Sequence, residues 1–519
     1  AELHAGDPSG GFAREAYAIA QRGRARSLLD LLAESEVDLR IHADPAYRER
    51  ETALLDDIAE QLRRLDAAPD SAAFLSAETA RLEQDLDLLG GELHRVDPRY
   101  GEIRYARPPE LADVQAAILA PDELLLEYIV AEESSFLWVV TTNSLALHRL
   151  PPRGRLAPVV REVLEMLGDY NIAGADPAYF VEPVEELSQW LLSDAAPDLQ
   201  RYRRVIVVAH DILNYLPFEV LFARGGPESP QSTPANARGF AALPFLVYDH
   251  DILYVPSVAV LGRLRERSAE QERARSRAAM GDSGPGSSRI LLVGDPDCSD
   301  AQGLSVFARA GLGETAPPLP DAHEELSRIA SLFPPAQTTR LEGRAANLHA
   351  LRDAAAQPHD YLHFAVHGIF NERRPRYSGL LLSRAPGDED DGYLTLDEAF
   401  GLDLPCRQVV LSACASALGE DVRGEGLLGL TQAFFYSGTE TVVASLWPVA
   451  GEATARFMRI FYEELLAAPI RDRASALAEA KRRMLEEAAA ADHPALDTAH
   501  PFFWAPFILI GSPGTKTGG

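Results

Sequence analysis

The segments Tyr361-Leu-His-Phe-Ala-Val-His-Gly368 and Gln408-Val-Val-Leu-Ser-Ala-Cys-Ala-Ser416 decide how this chain folds. Each has the apolar, β-branched composition of a buried strand. The first strand leads to His367 and the second to Cys414. A thiolate is the reactive form of cysteine, and a nearby imidazole can activate it. The two segments therefore predict a nucleophile and its base at the ends of two strands.

From Arg289 onward, strand-like and helix-like segments alternate along the chain. The predicted strands are 290–293, 361–366, 379–382, 409–413, 441–445 and 507–510, and the predicted helices lie near 321–333, 346–356, 426–437, 453–467 and 474–488. Such alternation is typical of a mostly parallel sheet with helices on both faces, in which ligands bind at the carboxyl ends of the strands. We therefore predict an active α/β domain over residues 289–513.

Residues 121–265 predict a second α/β domain. Its strands are expected at 124–130, 135–141, 204–209 and 252–255, and its helices near 155–169 and 181–193. His210 follows one of these strands much as His367 does, but no cysteine lies anywhere in 121–270. A cysteine-based site is therefore impossible in this domain.

The first 120 residues predict a helical region. Apolar residues recur at helical spacing over 12–20 and 25–33, and 45–95 reads as a long helical hairpin. The helical segments 12–20 and 25–33 are similar to the end of a tetratricopeptide-like array, so we expect further repeats upstream in a longer protein. Residues 263–277 form a charged, helix-like run, and a Gly-, Ser- and Pro-rich run follows it. Residues 266–288 are therefore predicted to be a flexible linker between the two α/β domains.

Charge and cysteine content exclude several classes of function. The 519 residues carry a formal charge of −29, which argues against binding to nucleic acid or to anionic membranes. No apolar run reaches the roughly 20 residues of a membrane span. Three cysteines make no disulfide framework and suit the reducing cytoplasm. No Cys or His cluster has zinc spacing, and we expect neither a metal nor a cofactor.

Neighbours of the predicted pair suggest supporting roles. The N–H of Gly368, with that of Cys414, is placed to stabilise an oxyanion. His363 shares a strand face with His367 by the two-residue period and is interpreted as a core or supporting histidine. Cys298 lies in a predicted loop and Cys406 precedes its strand, so both are poor candidates for the nucleophile.

The ordered motifs of the second half resemble the CHAT domain, a caspase-like peptidase module that often follows tetratricopeptide repeats. They are Leu291-Leu-Val-Gly-Asp-Pro296, Leu319-Pro-Asp-Ala-His-Glu-Glu325, Tyr361 to Gly368, Ser378-Gly-Leu-Leu-Leu382, Leu411-Ser-Ala-Cys414, Gly424-Glu-Gly426, Ala444-Ser-Leu-Trp-Pro-Val449 and Phe503 to Gly511. The resemblance implies that His367 is the general base or acid and Cys414 the nucleophile of an endopeptidase. It extends to separase, whose active domain follows an inactive α/β partner. The resemblance therefore implies that residues 121–265 are an inactive caspase-like domain.

The chain departs from the CHAT pattern near its expected substrate pocket. Ala415-Ser416 stands where a Glu-Thr pair is common, and Gly451 stands where separase-like relatives carry an acidic residue that receives a basic P1 side chain. Glu452 is the nearest candidate to replace that acid. An extended substrate is expected to add as a strand near Ser445 and Trp447.

These observations predict a cysteine endopeptidase that acts on a specific protein substrate through a Cys-His dyad. The resemblance further implies that a regulatory protein binds the helical N-terminal region and activates or recruits the enzyme. The alternative is a catalytically inactive caspase-like scaffold that mediates protein assembly. The presence of both His367 and Cys414 favours the enzyme.

Overall fold

The computed structural model forms two compact units, residues 1–21 with 109–519 and residues 22–108. It describes residues 11–34, 108–168, 177–223, 239–279, 288–297, 319–369, 378–384, 392–413, 425–447, 451–467, 472–490 and 498–514, together with residues 50, 53, 54, 57, 78, 81, 82, 84, 85, 88, 89 and 92.

One large sheet organises the first unit, and eleven of its strands lie in the described residues. They are β1 (Glu123–Ile129), β2 (Ser135–Val140), β3 (Leu145–Leu150), β4 (Arg204–Val208), β5 (Asp251–Tyr254), β6 (Ile290–Gly294), β7 (Thr338–Glu342), β8 (Tyr361–Ala365), β12 (Gln408–Leu411), β13 (Thr441–Ser445) and β14 (Phe507–Gly511). Their order in space is β3-β2-β1-β4-β5-β14-β13-β12-β8-β6-β7. Only the pairs β1–β2, β2–β3 and β13–β14 are antiparallel within this sheet. The predicted mostly parallel α/β fold is confirmed.

A second, small sheet lies beyond the end of β8. It contains β9 (Gly368–Ile369), β10 (Gly379–Leu381) and β11 (Tyr393–Thr395), in the order β11-β10-β9. The contacts within it are close, because a Cβ placed on Gly379 would overlap the Leu394 carbonyl oxygen and the Tyr393 ring. This position therefore requires glycine.

Helices cover both faces of the large sheet. The longer helices among the described residues are α1 (Phe12–Glu34), α2 (Arg153–Gly168), α3 (Ala178–Leu192), α4 (Val258–Ala279), α5 (Pro320–Ala330), α6 (Leu348–Ala355), α7 (Leu396–Phe400), α8 (Glu425–Tyr436), α9 (Gly451–Leu466) and α10 (Arg473–Ala490). Successive residues of β8 contact different layers: His363 reaches α5 and α9, whereas Phe364 packs on Phe434 of α8. This is the alternation that a strand buried on both faces requires.

The two predicted α/β domains are two halves of one continuous sheet. β5 of the first half pairs in parallel with β14 of the second, where Tyr254 lies opposite Ile510. Helix α10 also joins the halves, because Arg482 binds Asp251 at 2.7 Å. The halves therefore share a core, and the predicted boundary falls on a connection across it.

The flexible linker predicted at 266–288 is wrong over its first half, because α4 runs on to Ala279. Its polar side chains are held by the second half of the sheet. Ser268 donates to Glu440 at 2.8 Å, and Arg275 binds the other oxygen of that carboxylate at 3.3 Å. The helix-like pattern over 263–277 agrees with α4, but its partners lie more than 160 residues away in sequence, so no local pattern indicates that this helix is packed. Residues 280–287 lie outside the described part of the chain.

The helical segments expected at 12–20 and 25–33 are parts of one helix, α1, and residues 21–24 lie within it. Within the first unit, Tyr17 packs edge-on against Trp138 and Gln21 donates to Glu127 at 2.7 Å. In the predicted hairpin at 45–95 the described residues are helical, and Arg50 binds Glu92 at 3.1 Å. Most of that hairpin lies outside the described residues.

Candidate active site

His367 lies at the carboxyl edge of the large sheet, two residues beyond the end of β8. Its ring is half-buried, and its backbone carbonyl accepts a hydrogen bond from the Leu381 N–H of β10 at 2.8 Å. The following residue, Gly368, is buried in β9 opposite Leu380. The small sheet therefore fixes the backbone on which the predicted base and oxyanion donor lie.

The strand that leads to Cys414 lies directly beside β8. β8 and β12 pair in parallel: residue 408 lies opposite residue 361, a separation of 47, and Leu411 lies opposite Phe364. The Ser412 N–H then donates to the Phe364 carbonyl at 2.9 Å. Cys414 itself lies outside the described residues. It follows His367 in the sequence by the same 47 residues.

The predicted substrate-binding residues Ser445 and Trp447 are buried. Ser445 is 4% exposed and its hydroxyl donates to the Trp447 carbonyl at 2.8 Å, while the Trp447 indole is 3% exposed and donates to the Phe502 carbonyl at 3.1 Å. β13 is paired on both sides, and the Leu446 N–H already donates to Pro506. A substrate strand therefore cannot add alongside 441–446, and the expectation that one adds there is wrong for that segment.

An acidic side chain lies against Gly451 at the start of α9. A Cβ placed on Gly451 would overlap the Asp321 side chain, including its carboxylate. Asp321 is exposed in the first turn of α5, and Glu452 is exposed next to Gly451. Gly451 therefore leaves room for a carboxylate that comes from another helix.

Asp295, at the end of β6, adopts a left-handed backbone conformation with φ of 46°. Its N–H donates to the Ala365 carbonyl of β8 at 3.2 Å, and its carbonyl accepts from Gly343 at 3.0 Å. Burial, opposed by His323 and reinforced by Glu342, raises the pKa of its carboxyl. Aspartate tolerates this conformation better than most residues, and such strained positions cluster at functional sites.

His363 belongs to a buried polar group beneath the site. It is fully buried in β8, with Nε2 2.9 Å from Glu325 Oε1 of α5 and Nδ1 3.3 Å from the Tyr462 hydroxyl of α9. The group joins one strand to two helices. The expectation of a core or supporting histidine agrees with this environment.

His210, the histidine that follows a strand in the first half of the sheet, makes a structural hydrogen bond. His210 Nδ1 accepts a hydrogen bond from the Val130 N–H at 3.2 Å, and the adjacent Asp211 binds Arg153 at 2.8 Å. Cys406 is also unsuited to nucleophilic attack, because burial raises its pKa to about 11. Cys298 lies outside the described residues.

None of the helices in the described part of the chain is long and apolar enough to cross a membrane. Within the same residues, no group of three or more His, Cys, Asp or Glu side chains is arranged to hold a metal ion.

The sequence profile of the CHAT domain matches residues 181–512, which is more than half of the chain. The chain belongs to the CHAT domain family. The chain is 25% identical, over an alignment 348 residues long that covers 60% of this chain, to Tetratricopeptide repeat protein 28 of Homo sapiens. The chain spans only 12% of the length of that relative.

Solved structures similar to this CHAT protein are distant in sequence. One is a chain of the Saccharomyces cerevisiae separase–securin complex, with 10% identity and a TM-score of 0.43, covering 79% of this chain and 31% of that one. Another is the Arg-specific cysteine proteinase gingipain R, with 9% identity and a TM-score of 0.32, covering 64% of this chain and 67% of that one.

Three residues around the candidate site could not be identified from the sequence as parts of it. Asp321 and Glu325 stand in a motif that was recognised as a whole, Leu319 to Glu325, but no local pattern indicates which partner each would meet. Asp295 follows directly on a buried strand, which is the position where ligand-binding residues of such sheets lie. Its place after β6 was the one available signal.

Proposed function

We propose that this CHAT protein is a cysteine endopeptidase with Cys414 as nucleophile and His367 as its base. The observation that carries the proposal is the register of β8 and β12. Cys414 and His367 each lie three residues beyond the Phe364–Leu411 pair, so a register continued that far would bring the two residues side by side. Adjacent parallel strands lie about 4.8 Å apart, so a thiol and an imidazole on neighbouring strand ends are within reach of one another.

The chemistry follows from these positions. His367 takes the proton of the Cys414 thiol, and the thiolate attacks the carbonyl carbon of the scissile peptide bond. The developing oxyanion is stabilised by the Gly368 and Cys414 N–H groups. His367 then gives its proton to the departing amine, which leaves a thioester on Cys414. A water molecule, deprotonated by His367, hydrolyses that thioester and releases the second product.

The substrate side is proposed to accept a basic P1 residue. Gly451 lacks the acid that separase-like relatives carry there, but Asp321 lies against it and Glu452 follows it. A carboxylate at this position would form a charge-assisted hydrogen bond with the side chain of an Arg or Lys at P1. The substrate itself is proposed to be a specific protein that binds in an extended conformation beyond Trp447.

Regulation is proposed to act through the helical N-terminal region, residues 1–120, as the receiving surface for a partner protein. The name of the human relative, a tetratricopeptide repeat protein, supports this because such repeats form extended binding surfaces. We place the enzyme in the cytoplasm, in keeping with its three cysteines.

Peptidyl acyloxymethyl ketones that differ only in P1 provide the test, because they alkylate an active-site thiolate without requiring the natural substrate. We expect the Arg and Lys probes to label Cys414, identified by mass spectrometry, and expect His367→Ala to lose at least about 10-fold in labelling rate. Labelling of Cys414 by no probe, with or without the helical region, would leave the scaffold as the function.

A further inference from the structure

His363, Glu325 and Tyr462 form a buried polar group. The group includes the strand residue four positions before His367, and the proposed chemistry does not use it. His363 is fully buried, Glu325 is 4% exposed, and Tyr462 is fully buried. Burying three polar side chains is costly unless each is hydrogen-bonded. Replacing such a buried polar group by apolar side chains of similar volume is often neutral or stabilising. Stability alone therefore does not explain why these three side chains are polar.

The hydrogen bonds of the group have a defined direction. Burial raises the pKa of Tyr462, so its phenol keeps its proton. The phenol can then donate to His363 Nδ1, which leaves the Nε2 proton of His363 for the Glu325 carboxylate. One side chain from each of β8, α5 and α9 is therefore held in a single orientation relative to the other two.

All three elements lead to the same edge of the sheet. β8 runs towards His367, while α5 and α9 begin at the edge where Asp321 touches Gly451. The group thus ties the strand that carries the base to the two helices whose first turns flank the site. Its position, four residues before His367, fixes β8 against both helices in register as well as in distance.

We propose that His363 is a positioning residue, which acts with Glu325 and Tyr462 to hold β8, and hence the His367 ring, at the distance from Cys414 that thiolate formation needs. This inference rests on the proposed function, since it assigns a role towards the same dyad. Errors of about 1 Å in such a placement can cost up to about 100-fold in rate.

The test is the alkylation rate of Cys414 by iodoacetamide at pH 6.5, read from its own peptide by mass spectrometry. This rate reports thiolate activation without any substrate. Wild type, His367→Ala, His363→Phe, His363→Gln and Tyr462→Phe are compared. We expect His363→Phe and Tyr462→Phe to slow alkylation at least about threefold. His363→Gln, which keeps a donor for Glu325, should restore part of the rate.

A matched control separates positioning from lost stability. Ile460→Ala removes a fully buried side chain from α9, two residues before Tyr462, and leaves all three polar side chains of the group in place. It should lower the melting temperature at least as much as Tyr462→Phe and leave the alkylation rate unchanged. Rates that instead follow the melting temperature across all variants would overturn the positioning role.

The two proposals fail in different ways. Equal alkylation of Cys414 in wild type and His367→Ala would contradict the dyad itself and therefore the proposed function. A wild-type rate above that of His367→Ala, but unchanged by His363→Phe and Tyr462→Phe, would overturn the role of His363 alone.

Discussion

Leu411 lies opposite Phe364 in the parallel pair of β12 and β8. Each is three residues before one member of the predicted dyad, Cys414 and His367 respectively. Adjacent parallel strands in register end at the same edge of the sheet. The two strand ends that the sequence shows 47 residues apart are therefore neighbours in the fold. The small sheet that follows β8 then fixes the His367 backbone through Leu381.

Gly379→Ala should disturb the site without touching either member of the dyad. The added Cβ would overlap the Leu394 carbonyl, so β10 and β11 must separate, and β10 supplies the Leu381 N–H that holds His367. We expect a loss of about 1–3 kcal/mol in the free energy of unfolding, measured by urea titration. Alkylation of Cys414 should slow at the same time.

Gly154→Ala serves as its control. A Cβ on Gly154, in the first turn of α2, would meet nothing within 4 Å. This variant should be neutral or stabilised by up to about 1 kcal/mol and should keep the wild-type alkylation rate. If Gly379→Ala behaved like Gly154→Ala, the small sheet would have no part in placing His367.

Glu440→Gln should destabilise the joint between α4 and the second half of the sheet. Burial alone would raise the pKa of Glu440, but Arg473 and Arg275 outweigh it and hold the pKa below its usual value. Neutralising the carboxylate leaves the Arg473 charge buried without its 2.6 Å partner, which costs about 3–5 kcal/mol. Urea unfolding at pH 7 measures the difference.

An exposed ion pair on α4 should contribute little to the free energy of unfolding. Glu266 binds Arg263 at 2.8 Å, and both side chains are largely exposed. Glu266→Gln should therefore change stability by no more than about 1 kcal/mol. Similar losses from Glu266→Gln and Glu440→Gln would mean that the buried cluster does not hold α4 in place.

His500 predicts a loss of stability in mild acid. Burial lowers its pKa from 6.5 to about 4. The unfolded chain therefore binds a proton near pH 6.5 that the folded chain takes up only near pH 4, so stability falls as pH drops between those values. The full effect of this one group approaches about 3 kcal/mol.

His500→Asn should flatten that dependence. Asparagine keeps an acceptor for the Phe502 N–H, which His500 Nδ1 now receives at 3.0 Å, but it does not titrate. Unfolding free energies at pH 7.5, 6 and 5 provide the comparison, with the exposed His323→Asn as the control. An unchanged slope in His500→Asn would show that other groups cause the acid sensitivity.

Asp321→Asn should weaken the preference for a basic P1 residue. The substitution keeps the shape that touches Gly451 and removes the charge proposed to receive Arg or Lys. We expect labelling of Cys414 by the Arg and Lys probes to fall about 10-fold, with smaller changes for an uncharged P1. Glu324→Gln, an exposed change on the same helix, should leave the selectivity unchanged.

The strands buried on both faces could be predicted from the sequence because their apolar runs are continuous. β8, β12, β13 and β14 were all expected within about two residues of their observed bounds. The edge strands β3 and β7 were missed. Their side chains are mostly half-exposed and chemically mixed, so neither an apolar run nor a clean alternation marks them.

The site was predictable only where a strand end marks it. His367 and Gly368 follow a recognisable strand, whereas Asp321 and Glu325 acquire their roles from partners on other elements. Glu325 lies 38 residues from His363 in the sequence, and Asp321 lies further still from Gly451. Contacts of that range depend on how helices pack across the sheet, and no local pattern records them.

Digestion of a proteome-derived peptide library with wild type and Cys414→Ala tests whether Cys414 acts with His367 in peptide-bond hydrolysis. Mass spectrometry of new peptide termini is the readout. We expect cleavage by wild type and a cleavage rate at least about 1,000-fold lower in Cys414→Ala, since removal of a nucleophile costs that much or more. Equal cleavage by Cys414→Ala would contradict this role of Cys414.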